Sequence, residues 1–267
     1  MADAAALYVR LVAARLRSQL QYRTSLALET VGMFITGFLD FAVILVLFHN
    51  VSELGEWTIA EVALLYGISG CAFAFTDMAI GHLDLLSRLI RDGNFDLLLV
   101  RPRSTLFQVV TNDFHVRRLG KAAQALIVLG YALAANDIHW TPQRIVVLPL
   151  AIVAAVAIFA SIWIAFVCIA FWTVEGTETA NTFTYGGQFL SQYPINIYNA
   201  WLRRFLAFFV PTAFVAYFPA LYILDKPDPL GLPSFLQVLS PLVAVAAACV
   251  SGVVWRVAVR HYQSAGG

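Results

Sequence analysis

Gly67-Ile68-Ser69-Gly70 is the first grouping in this sequence whose residue types suggest chemistry. A G-x-S-G pattern suits a serine that attacks a peptide bond inside a membrane, and such a nucleophile needs a histidine within hydrogen-bond reach. The five histidines, His49, His82, His115, His139 and His261, stand at the ends of apolar runs or between them. The nearest, His82, lies 13 residues on, about 20 Å along a helix rising 1.5 Å per residue. Small residues at Gly67, Gly70 and Ala74 fit close helix packing better than proteolysis. Neither the histidines nor the acids show a metal-ligand spacing. Cys71, Cys168 and Cys249 each sit inside an apolar run, which suggests neither a disulfide nor a thiolate site. The one Gly-Lys pair, Gly120-Lys121, is followed by Ala122 and lacks an upstream glycine, so the chain has no loop to cradle a triphosphate. It is expected to be no enzyme and to need no cofactor or metal. If ATP drives it, another polypeptide binds the nucleotide.

Two further groupings point to passage of a solute rather than to a reaction. Glu29 and Asp40 are 11 residues apart, which at about 100° per residue returns to nearly the same helix face; Thr36 joins them. Carboxylates are costly against lipid, so this face looks toward protein or a watery cavity. It is either a polar helix–helix contact or the lining of a pathway. Phe208, Phe209 and Tyr217 belong to an aromatic-rich segment. They either line a route for an amphipathic cargo or act as interfacial anchors and core. Asp77 is expected to pair with a basic residue such as Arg88 or Lys121, or simply to be interfacial.

The elements that hold these residues follow from composition. The chain has 267 residues, 60% of them hydrophobic and 12% charged, against about a quarter charged in soluble domains. Such a chain cannot cover its surface in water, so its solvent is lipid. The expected fold is all-α: one domain over 1–267, with an N-terminal amphipathic interfacial helix and six transmembrane helices. Residues 1–23 form the interfacial helix, with Arg10, Arg15, Arg17 and Arg23 beside Val9, Val12, Leu16 and Leu20. Spans are expected over about 25–48, 59–80, 119–135, 145–172, 205–224 and 235–255, near the roughly 20 residues a bilayer demands. Residues 174–204 read as too polar to span: an interfacial helix, a break at Gly186-Gly187, and a return toward the membrane. With the N-terminus inside, only Arg144 and Lys226 of the 17 Lys and Arg fall outside, leaving 15 inside (17 − 2). Positive charge marks the cytoplasmic side, which places both termini there. No partnership with nucleic acid is expected.

Between the second and third spans lies Leu83–Arg103, a break rich in arginine. Leu83, Leu86, Leu89 and Ile90 recur at helical steps, with Arg88 and Arg91 on other faces. Asp92-Gly93-Asn94 then reads as a turn, and the apolar run from Phe95 to Val100 closes at Arg101-Pro102. As physics alone, this is either an ordinary charged loop or a short amphipathic helix with an apolar foot.

The run from Arg91 to Pro102, RDGNFDLLLVRP, resembles the cytoplasmic loop of type-2 ABC exporter permeases, in the branch of small six-span subunits. The likeness continues in Phe183–Phe189 (FTYGGQF), Tyr193-Pro194, Phe209-Val210-Pro211 and Tyr217–Tyr222 (YFPALY). It implies a multi-pass protein of the bacterial plasma membrane, working as an exporter by alternating access. The implied partners are cytoplasmic ATP-binding cassette ATPases and a second permease, a paralogue rather than an identical copy, within membrane lipid. It further implies a coupling helix in the 83–103 loop that seats on the ATPase. That role falls on Leu86, Arg88, Leu89, Arg91, Asp92, Gly93, Asn94, Phe95, Asp96 and Arg101. Many such permeases carry a re-entrant hairpin between the fifth and sixth spans, for which Asp225–Pro233 is too short. The competing class is an ion-gradient-driven secondary transporter or channel, whose signs would be an inverted repeat and matching ionisable residues in both halves. Here the intramembrane acids cluster in the first two spans. A structural assembly factor shares the same features.

Overall fold

The computed structural model describes residues 17, 19–111, 115–173 and 176–263, and their regular structure is helical apart from one isolated bridge, Leu54 to Trp57. The helices are α1 (Arg23–Asn50), α2 (Ile59–Ile80), α3 (Leu86–Arg91), α4 (Asp96–Leu99), α5 (Thr105–Val110) and α6 (Leu119–Ala135), then α7 (Pro142–Val167), α8 (Gly176–Ser191), α9 (Ala200–Arg204), α10 (Tyr217–Leu224) and α11 (Ser240–Arg260). The expected interfacial helix at 1–23 lies almost wholly outside the described residues; Leu20–Tyr22 form a single 3-10 turn leading into α1.

Among the described residues, four helical stretches are long and apolar enough to cross a membrane: 20–50, 59–91, 142–171 and 240–260. At 17 residues α6 sits at the short end of that range. Packing runs α1 on α6, α6 on α2, α2 on α7 and α7 on α11, with α8 laid against α7 and α2. Helix α2 is therefore central and buried on nearly every side. Its start is fixed by a capping box, in which the Glu61 amide donates to Thr58 Oγ1 at 3.4 Å and the Thr58 amide to Glu61 Oε2 at 2.7 Å. Thr141 with Pro142 starts α7 in a related way.

The small-residue seam on α2 is a packing device. A Cβ at Gly67 would stand 2.7 Å from the Leu129 Cα on α6. Ser69 meets the Ser191 hydroxyl at 2.6 Å, while His82 contacts the Val109 carbonyl oxygen elsewhere. Among the described residues, the Ser69 hydroxyl is thus bonded to another serine.

Two regions differ from the sequence expectation. Residues 176–191 are one unbroken helix that runs through Gly186-Gly187. Its first turn bonds α3, just past the end of α2, Thr177 Oγ1 donating to Ser87 Oγ at 2.7 Å. Ser191 reaches the middle of α2, and Asn196 donates to the Gly55 carbonyl beyond the other end of α2, at 2.6 Å. Residues 176–197 thus run the length of α2. Part of its polarity is enclosed by protein: Thr184 and Ser191 are buried and bond backbone oxygens of their own helix.

Residues 205–224, expected as a fifth span bent by Pro211 and Pro219, lie in a bent pair. The arms 200–209 and 212–224 meet at 74° across Pro211. Both feet lie at one end of the bundle. The first is held by Asn196 on Gly55, and the second by Lys226 Nζ at 2.9 Å from both Glu61 carboxylate oxygens. Both ends of this bent element therefore meet the same end of the bundle. Arg144 and Asp225, 2.8 Å apart, tie α7 to the second foot. The first arm also carries Arg203 and Arg204 to this end, beside Ile195, Leu230 and Leu236. Four basic residues therefore lie here rather than two.

Candidate functional site

At the opposite end, Gly81–Leu85 turn as a 3-10 helix, α3 follows, and the chain reverses at Gly93, whose φ of 69° suits a residue without Cβ. Nothing lies within 4 Å of a Cβ built there, so conformation and not space selects glycine. The expected helix, turn and foot are all present. Their faces differ from the sequence expectation. Leu86 and Phe95, both assigned to a partner surface, are fully buried within the chain, and Leu89 is half-buried. The Phe95 ring lies 5.2 Å from Phe171 and 4.9 Å from Tyr262, at the ends of α7 and α11. Helical spacing identifies an apolar face but not what covers it, and here this chain's own core covers it.

The outward face consists of Leu85, Leu97, Leu99 and Val100, the last 81% exposed, among Arg88, Arg91, Asp92, Asn94, Arg101 and Arg103. Leu97, Leu99 and Val100 were not singled out from the sequence; the unbroken run Leu97–Val100 between a turn and Arg101 was the available signal. Arg88 and Asp92 pair at 3.5 Å on the solvent side, a contact worth under about 1 kcal/mol.

Behind this face stands a polar network. Trp163 Nε1 donates to Asp84 Oδ1 at 2.9 Å, the Tyr185 hydroxyl donates to Asp84 Oδ2 at 3.3 Å, and Thr177 bonds Ser87. Asp77 pairs with Arg118, not with Arg88 or Lys121, and the pair is nearly enclosed. Burial pushes the Arg118 guanidinium pKa down, and the Tyr185 hydroxyl opposes that shift. Trp255 Nε1 donates to Thr105 Oγ1 at 3.1 Å, so α11 also touches this region. A surface built this way cannot shift without moving α7, α8 and α11.

The other candidate residues do not share one cavity. Glu29 is half-exposed and pairs with Arg117 at 3.2 Å, the polar-contact alternative. Thr36 is exposed and bonds back to the Gly32 carbonyl at 3.0 Å. Asp40 borders a recess of about 20 Å³ with Lys121, Gln124 and Gln192, room for about one water. Tyr217 is buried, donates to Asp228 Oδ1 at 2.7 Å and packs on Trp57 at 5.5 Å. It pins the second foot. Phe208 and Phe209 line an apolar groove of about 540 Å³ between α7, α11 and the bend at Pro211.

These features define a polytopic, all-helical membrane protein with a bonded loop platform at one end and a bent helix pair at the other. The sequence model of ABC-2 family transporter proteins matches residues 34–266, and the chain belongs to that family. No curated protein and no solved structure matches it.

Proposed function

We propose that this chain is the membrane permease of an ABC exporter, crossing the membrane six times and driven by separate cytoplasmic ATPase subunits. The crossings are α1, α2, α6, α7, the 176–197 segment and α11, with 200–224 as a hairpin entering from outside. Both termini and the 81–118 platform then face the cytoplasm. The single observation that carries this reading is the two-sided loop. Its outer face offers Leu85, Leu97 and Val100 with four arginines, while its inner face is keyed through Phe95, Asp84 and Ser87 to the helices behind. An ATPase docked outside, as it closes on ATP, would tilt α7, α8 and α11 together, the step that alternating access requires. A second permease covers the open side of α1, where Thr36 and Asp40 are exposed on a helix otherwise suited to lipid.

Copurification of the tagged chain from its native membrane tests this. An ATPase and a second permease should accompany it, and the isolated chain should hydrolyse no ATP. Vanadate-sensitive turnover by the chain alone would overturn the reading. Topology is checked in a cysteine-free background, where Asn94→Cys should label only from inside, and Trp201→Cys and Ser234→Cys only from outside. Labelling of Trp201→Cys from inside would restore 205–224 as a full crossing.

A further inference from the structure

We infer that the groove beside the hairpin is a binding site for an anionic phospholipid, with its acyl chain against Phe208 and Phe209 and its phosphate on Arg203 and Arg204. The groove of about 540 Å³ continues into a second of about 280 Å³, because Ala207, Phe208 and Phe214 line both. The first is almost wholly apolar, its floor formed by Phe166 on α7 and Ala247 on α11. The second is lined by Leu230 and Leu236 together with Arg203 and Arg204. An apolar groove therefore adjoins a smaller one that two guanidinium groups line.

The charges at this end single the site out. Arg144 is paired with Asp225, and Lys226 with Glu61. Arg203 and Arg204 form no ion pair among the described residues, although they are adjacent and repel each other. Trp201, 71% exposed, stacks on Phe205 at 5.5 Å within the same short arm. Exposed tryptophan settles at headgroup height, which puts the two arginines at the level of lipid phosphates. Arginine's fork suits phosphate oxygens. A zwitterionic lipid brings its own cation to these arginines, whereas an anionic one leaves both guanidinium groups compensated.

Assignment to the outer leaflet rests on the orientation proposed above; the binding site itself does not. The test uses the full-length chain, with any subunits that accompany it, in native mass spectrometry with dioleoyl phosphatidylglycerol or dioleoyl phosphatidylcholine. Phosphatidylglycerol should be retained about tenfold better. Arg203→Gln with Arg204→Gln should bring the ratio close to one, and lysine at both positions should keep most of it. If the double variant does not fold, Arg204→Gln alone, at an exposed position, should lower the ratio. Ala247→Phe, which fills the apolar groove, should weaken both lipids. An unchanged ratio in the glutamine variants would overturn the proposal. So would displacement of the lipid by glycerol 3-phosphate as readily as by lysophosphatidylglycerol, since only an anion would then be recognised. Loss of ATPase partners with this ratio intact would count against the transport reading alone.

Discussion

Replacing Phe95 by alanine separates the two faces of the platform. Its ring is fully buried and touches Phe171 and Tyr262, at the ends of two long helices. Truncating such a phenylalanine removes its burial and leaves a cavity, a loss of about 3–5 kcal/mol. The ring contacts alone are worth about 0.5–1.5 kcal/mol per pair. Most of that loss falls on the docking of the 93–100 turn against the ends of α7 and α11, where Phe171 and Tyr262 meet the Phe95 ring. Leu97 and Val100, by contrast, are exposed, and Leu97→Asp with Val100→Asp should change stability by no more than about 0.5 kcal/mol per site. The two variants should therefore diverge. Phe95→Ala lowers the thermal stability of the purified chain and, in the assembled complex, uncouples ATP turnover from transport. The exposed pair leaves melting unchanged and reduces ATPase copurification, since losing a buried interface anchor typically costs about 2 kcal/mol or more. Both are read by melting in detergent, by copurification normalised to inserted protein, and by substrate-stimulated hydrolysis. Equal melting of Phe95→Ala and the parent would refute the burial argument. Parental copurification by the Leu97/Val100 variant would show that this face is an ordinary solvated surface.

Other positions carry smaller tests. Asp77→Asn or Arg118→Gln alone should cost about 3–5 kcal/mol, because each strands a buried charge, while the double variant should be milder; melting of the three proteins decides this. Gly67→Val should drive α2 away from Leu129 and lower the yield of folded chain by overpacking, at about 1–3 kcal/mol. Gly93→Val should lose about 1–2 kcal/mol through its positive φ, and Gly93→Asn noticeably less; comparing the two melting curves isolates conformation from side-chain size.

The all-helical membrane class was legible from composition, and several span boundaries from hydropathy and caps. Ile59–Ile80 and Leu119–Ala135 coincide with the helices formed, because Thr58 and Asn136 mark changes of environment that local chemistry specifies. The position of the platform, its glycine turn and its arginines were legible as well, since they depend on short-range spacing. What covered each face was not. Leu86 and Phe95 have the same apolar character as Leu85 and Leu97, and only the ends of α7 and α11 decide which pair is enclosed. The same limit hid the path of the chain after α7. Residues 176–191 are too polar for lipid, but they face α7 and α2, where hydroxyls bond their own helix's carbonyls. Residues 205–224 are apolar enough to span, yet Asn196 and Lys226 hold both feet at one end. Hydropathy measures what a segment can tolerate, and long-range contacts determine where it goes. Sequence alone thus set the solvent, the helices and the loop's chemistry; the tertiary contacts chose the outward face, bent the aromatic segment so that both its ends meet one end of the bundle, and set Arg203 and Arg204 in the lining of an apolar groove.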